Sequence, residues 1–209
     1  MKAHLEVLGR VQRRVLERLG PLATARGFYL AGGTGLALQL GHRRSVDFDW
    51  FIEGRVGDPL VLARQVQDDG IALRVDQTER GTLHGRVAGV RVSFIEYRYP
   101  LLAPLQNPPG LPVPLASLED IACMKLSAVT QRGARKDFVD LHALGQRLGL
   151  PEMLRLYRKK YGLRDVGHVL IALTYFEGAD RERPPQMLHR TEWRSVKAAL
   201  RGWVKAVVG

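Results

Sequence analysis

Apolar positions fall into two periodicities along the chain, and the change between them divides it. Leu5, Leu8, Val11, Val15 and Leu19 recur at helical spacing among Arg10, Arg13, Arg14 and Arg18, which predicts an amphipathic helix over residues 5–19 with a basic outer face. Phe28-Tyr29-Leu30-Ala31 reads as a short strand running into Gly32-Gly33-Thr34, followed by a brief helix over 34–41 that Gly41 ends. From Val46 to Ile52 acids alternate with hydrophobes, the signature of a strand. A helix is expected over 58–68. Three further strands are expected at 71–75, 83–87 and 90–97, with turns at Glu79-Arg80-Gly81 and Ala88-Gly89.

Between Pro100 and Pro114 the texture changes. Pro100, Pro104, Pro108, Pro109, Pro112 and Pro114 are too dense for a helix or a sheet interior, so 101–117 is expected to be a linker or extended arm. Everything beyond it reads helical, at 118–131, 135–148, 151–161, 166–177 and 191–207. The expected fold is α/β (α+β): a small mixed sheet flanked by helices over 1–100, then a helical domain over 118–209, with a cleft between them.

Composition narrows the class. The 209 residues are 45% hydrophobic and 25% charged, as in a globular protein with a sizeable core. No apolar run approaches the roughly 20 residues that span a bilayer, and the N-terminal residues lack the pattern of a secretory signal, so the expected location is cytoplasmic and away from membranes. One cysteine, Cys123, excludes an internal disulfide and a cysteine-rich zinc site, and its apolar setting suits a buried thiol. The histidines at 42, 84, 142, 168 and 189 do not fall at zinc-ligand spacings. A net charge of +11, spread along the chain, favours a polyanionic partner such as a nucleic acid or a nucleotide.

The candidate chemistry lies between residues 32 and 49. Gly32 and Gly33 let the backbone pass close to a ligand or simply make a tight turn, and Thr34 with the amides of the helix start can bind phosphate oxygens. No Gly-Lys-Ser/Thr closes the motif as in a P-loop, and the dinucleotide-binding spacing is absent. Asp47 and Asp49, two apart on a strand, face the same side, with Phe48 and Trp50 on the other. Such a pair is either two solvated acids on an exposed sheet face or, being unfavourable side by side without a cation, a site for divalent metal. Lys125 sits in an apolar helical stripe with Ile121 and Val129, which calls for an anionic partner, either a triphosphate or a structural carboxylate. Asp137 lies in the first turn of a helix, where an acid is also favoured by the helix dipole alone. His42-Arg43-Arg44 either reaches phosphate or is solvated surface, and Arg158-Lys159-Lys160-Tyr161 is either an RNA-contacting surface or a solvated helix face.

These residues carry a resemblance. Leu30 to Leu38, with Gly32-Gly33-Thr34-Gly35, and Gly41 to Phe51, with Asp47-Phe48-Asp49, resemble the opening motifs of the AbiEii/AbiGii toxin family of nucleotidyltransferases, within the DNA polymerase β-like superfamily. Asp120-Ile121-Ala122-Cys123-Met124-Lys125 resembles its third motif and Arg135-Lys136-Asp137-Phe138-Val139-Asp140-Leu141 its fourth. The resemblance implies a polymerase β-like core whose catalytic residues are Asp47, Asp49, Lys125 and Asp137, with Asp47 and Asp49 binding two magnesium ions. It implies that Gly32, Gly33, Thr34, Arg43 and Lys136 hold a nucleoside triphosphate. It implies further a toxin of a toxin–antitoxin or phage-defence system, with an antitoxin encoded nearby, that transfers a nucleotide to an acceptor such as the 3′ end of tRNA. A protein or small-molecule acceptor, or a catalytically weak nucleotide- or RNA-binding member of the fold, are the alternatives. One departure stands out: the superfamily's third carboxylate position falls by register on Ser93, while Glu96 is expected on the opposite face of its strand.

Overall fold

The computed structural model describes residues 2–209. A 3₁₀ turn at Leu5–Val7 precedes helix α1 (Arg10–Ala25), strand β1 (Tyr29–Leu30), α2 (Gly32–Leu40), β2 (Phe48–Ile52), α3 (Pro59–Asp68), β3 (Leu73–Glu79), β4 (Thr82–Val87) and β5 (Val90–Glu96). The helical half comprises α4 (Leu118–Gln131), α5 (Arg135–Leu148), α6 (Leu150–Tyr161), α7 (Gly167–Thr174), α8 (Glu177–Arg181) and α9 (Trp193–Val208). Among the described residues no helix is long and apolar enough to cross a membrane.

The five strands form one mixed sheet in the order β1-β2-β5-β4-β3, parallel only between β2 and β5. Alternation sets its two faces. Phe48 and Trp50 of β2 and Val92 and Phe94 of β5 bury with Val15, Leu16 and Leu19 of α1 and Leu62 and Val66 of α3. Tyr29 and Phe51 turn the other way, into a second core with Ile121, Leu126, Phe138, Leu141 and Leu144 of α4 and α5. The cleft opens on this second face.

The departures from the sequence reading have local causes. The first helix begins at Arg10, not residue 5, because extended Gly9 is its N-cap and donates its amide to the Gln12 side chain. It runs on through Gly20-Pro21 to Ala25, and Gly20 is needed there, since a Cβ would meet Val113 at 2.4 Å. The second helix starts at Gly32, so the two glycines form its first turn. The single helix expected over 166–177 is two, broken where Tyr175 turns extended. The β3 strand reaches Glu79 past an irregularity between Val75 and Gln77.

The proline-rich segment lies against the sheet edge. Leu115 bridges Leu30 in parallel and exchanges backbone hydrogen bonds with Gln106, and Val113 and Leu115 are buried in the sheet-side core. Asp120, the acid of the third motif, fastens it from the other side. Its carboxylate accepts from the Ser117 hydroxyl and the Leu102 and Ala103 amides, and receives Lys160 at 2.6 Å. Lys160 is therefore neither an RNA-facing nor a solvated cation: it is buried, and ties α6 to the segment and to α4.

Candidate active site

A cleft of about 530 Å³ lies between the sheet face and the start of α2 on one side and α4 and α5 on the other. Gly32, Gly33, Arg43, Asp47, Asp49, Lys125 and Lys136 all line it, so residues from four motifs spread over a hundred positions converge. Thr34 and Asp137 lie behind the wall. The Thr34 hydroxyl donates to the Asp47 carbonyl and stands 2.7 Å from the Ser45 hydroxyl, which anchors the entry to β2 instead of facing the cleft.

The glycines are required by close approach. Gly32 has φ +61°, and a Cβ there would lie 2.8 Å from Asp49 Oδ2; at Gly33 it would meet the Arg43 guanidinium at 2.6 Å. The first amides of α2 have no partner within the helix, so the helix start brings unpaired donors and the positive end of a dipole to the cleft.

Asp47 and Asp49 share the cleft-facing side, as alternation requires. Burial and the neighbouring Asp47 charge raise the Asp49 pKa, against the pull of Lys125, the Ser93 hydroxyl and Lys136. Asp47 is held by Arg91 of β5 through two hydrogen bonds of 2.8 and 3.1 Å. Ser93 pairs with Asp49 across β2 and β5, so the third-carboxylate position is a hydroxyl. Glu96 is turned away from the cleft, bonded to Arg98 and the Val56 amide. Among the described residues no group of three His, Cys, Asp or Glu side chains is placed to hold a metal ion.

Behind the opposite wall lies a buried ionic cluster. Lys125 Nζ is 2.9 Å from Asp137 and 2.6 Å from Asp140, both carboxylates being fully buried. Arg43 grips Asp140 with Nε and a terminal nitrogen at 2.6 and 2.7 Å, and His42 adds a contact of 2.8 Å. Arg132 closes on Asp137 in the same bidentate way. Burial opposes every one of these charges, but their mutual attraction prevails: the Asp140 pKa lies well below the ordinary range and that of Lys125 is raised. Lys125 thus has structural carboxylates as partners while its side chain still reaches the cleft wall. His42 and Arg43 are not solvated surface; they clamp Asp140.

The sequence reading passed over Asp140 and Arg91 as site residues. Asp140 is three residues after Asp137, hence on the same face of α5. Arg91 is two before Ser93, hence on the cleft face of β5. Cys123 matches expectation: it is buried, and burial pushes its thiol up to about 12.

With this geometry in place, comparison with known proteins is decisive. The family described as nucleotidyl transferase AbiEii toxin, type IV TA system, matches residues 74–203. The uncharacterized protein aq_aa25 of Aquifex aeolicus (strain VF5) is 40% identical over 178 residues, covering 84% of this chain and 86% of that protein. Among solved structures, the nucleotidyltransferase toxin MenT4 of Mycobacterium tuberculosis H37Rv superposes with a TM-score of 0.58 at 18% identity, over 85% of this chain and 75% of that one. The antibiotic-resistance factor ANT(2″)-Ia gives 0.58 at 15% identity, over 74% and 95%. JHP933 of Helicobacter pylori gives 0.56 at 13% identity, over 93% and 89%. At such identities the structures show a shared fold. The chain belongs to the AbiEii family of nucleotidyltransferases, toxins of type IV toxin–antitoxin systems.

Proposed function

We propose that this protein transfers a nucleoside monophosphate from a nucleoside triphosphate, with magnesium, to an RNA acceptor, the 3′ end of tRNA, and so acts as the toxin opposite a cognate antitoxin. The observation that carries the reading is the convergence of Asp47 and Asp49 with Gly32, Gly33, Lys125 and Lys136 in one cleft. Two adjacent carboxylates, of which Asp49 has its charge disfavoured by burial and by Asp47, suit a divalent cation. Magnesium is commonly held by one or two carboxylates, with substrate phosphates and water in its remaining places, so Asp47 and Asp49 fit it without a third protein ligand. When bound, it would supply charge neutralisation at the phosphates and a favoured position for the attacking oxygen.

The chain's own residues divide the remaining work. The open amides of α2 at Gly32 and Gly33 receive phosphate oxygens. Lys125 and Lys136 offset negative charge building on the leaving pyrophosphate. Asp137 and Asp140 hold the Lys125 ammonium in place, Arg132 fixes Asp137, and Arg43 stiffens the wall through Asp140. Were Asp47 to hold a metal, the Arg91 guanidinium now paired with it would be the cation offered to an RNA backbone. The net charge of +11 supports a polyanionic acceptor.

The test is incorporation of each labelled nucleoside triphosphate into total tRNA, comparing wild type with Asp47→Ala/Asp49→Ala. Label in tRNA that vanishes in the double variant is the expected result and identifies the nucleotide. Label on a protein or small molecule instead would retain the chemistry and discard the acceptor. Nucleotide binding without transfer to anything would favour a catalytically weak member of the fold, a reading that Ser93 and the Arg91–Asp47 pair also accommodate.

A further inference from the structure

Across the middle of the sheet, Asp49 of β2, Ser93 of β5 and His84 of β4 stand side by side in one row. All three line the cleft. His84 Nδ1 lies 3.1 Å from the Ser93 hydroxyl, and that hydroxyl in turn favours the charged form of Asp49. On its outer side the row continues to Gln77 of β3, which is uncharged. When the Ser93 oxygen accepts from Nδ1–H, Nε2 is the ring's proton acceptor.

We propose that His84 is the base for the transfer reaction, standing in for the carboxylate absent at Ser93. The assignment rests on the transferase reading above. In the step, the acceptor hydroxyl gives its proton to His84 Nε2 while its oxygen bonds to the α-phosphorus. The bond from the α-phosphorus to the bridging oxygen breaks, pyrophosphate departs with that electron pair, and the imidazolium then releases its proton to solvent. The other acids of the region are unsuited: Asp47 and Asp49 are the proposed metal carboxylates, Asp137 and Asp140 are fully buried in ion pairs, and Glu96 faces away. Ser93 is a positioning residue here, orienting the ring.

Single-turnover transfer to total tRNA, with binding of the same triphosphate measured separately by calorimetry, tests this on wild type, His84→Ala and His84→Asn. Asparagine retains a donor toward Ser93 but no base, so it separates chemistry from folding. Both variants are expected to lose about 100-fold or more in rate, the usual scale of a general base. Both should bind the triphosphate within twofold of wild type, and added imidazole should restore part of the rate to His84→Ala. A variant as fast as wild type would overturn the assignment. So would a slow variant whose triphosphate binding collapses and which imidazole does not rescue, since that marks a structural role. Wild type that transfers no nucleotide would instead remove the transferase reading, and the base with it.

Discussion

The buried ionic cluster allows charge removal to be separated from loss of chemistry, because its members are not equivalent. Three cations, Lys125, Arg43 and Arg132, face two carboxylates, Asp137 and Asp140. Asp140→Asn leaves Arg43 and Lys125 buried, with Asp137 as the one remaining carboxylate for all three cations. Breaking a buried pair from one side costs about 3–5 kcal/mol. At about 2–4 °C per kcal/mol for a chain of this size, the melting temperature should fall by roughly 6–20 °C. Lys125→Met does the reverse: it leaves Asp140 with Arg43 and Asp137 with Arg132, a balanced set, and replaces a buried ammonium by an apolar chain of similar length. It should cost about 1–2 kcal/mol and yet abolish most transfer.

Urea denaturation of both variants measures this, with an unchanged m-value showing that the same surface unfolds. The pH dependence supplies an internal check. Because the folded pKa of Asp140 is depressed below its ordinary 3.8, its contribution is complete above that value and is lost as pH falls through the folded one. The gap between wild type and Asp140→Asn should therefore be full at neutral pH and narrow only in strong acid. If Asp140→Asn lies within about 1 kcal/mol of wild type, or Lys125→Met is the more damaged in stability, the pairing scheme is wrong.

Three further outcomes follow from the sheet side of the cleft. Asp49 has a raised folded pKa, so the burden of its charge accumulates as pH rises from the ordinary 3.8 towards the folded value and is complete above it; Asp49→Asn should therefore raise the melting temperature of the metal-free protein at neutral pH, and a fall would refute the reasoning. Arg91→Ala frees Asp47 from a half-exposed ion pair worth about 0.2–1 kcal/mol, so calorimetry with manganese should show binding up to about fivefold tighter. Gly32→Ala forces a Cβ against Asp49 Oδ2 at φ +61°; it should cost about 1–2 kcal/mol in stability and, by displacing a reacting group, about 100-fold in transfer rate.

Much of the fold was legible because periodicity and punctuation agree. The 118–131 and 135–148 helices begin and end where the sequence reading puts them, since Ser117 caps the first and Gly149 follows the second. Asp47 and Asp49 could be placed on one face because a strand leaves no other choice. What could not be read were distances between segments remote in sequence. Nothing local tells that Lys160 reaches Asp120 or that Arg43 reaches Asp140, ninety-seven positions apart. A lone cation in the sequence looks solvated until the fold supplies its acid. The same blindness hid His84, whose meaning depends on a neighbour on the adjacent strand.

The two walls of the cleft solve opposite electrostatic problems, and this explains why the third carboxylate can be absent. On the helical side every buried charge of the cluster has a partner before any ligand arrives, so the wall is rigid and its excess is positive. On the sheet side two acids crowd together, Asp47 paired with Arg91 and Asp49 buried with its charge disfavoured despite the pull of Lys125 and Lys136, so the wall is under electrostatic strain that a cation would relieve. A third acid at Ser93, directly beside Asp49, would deepen that strain in the metal-free state. Ser93 with His84 puts the proposed base at the same edge of the cleft without adding a carboxylate. The arrangement forgoes one carboxylate and leaves a less strained resting protein.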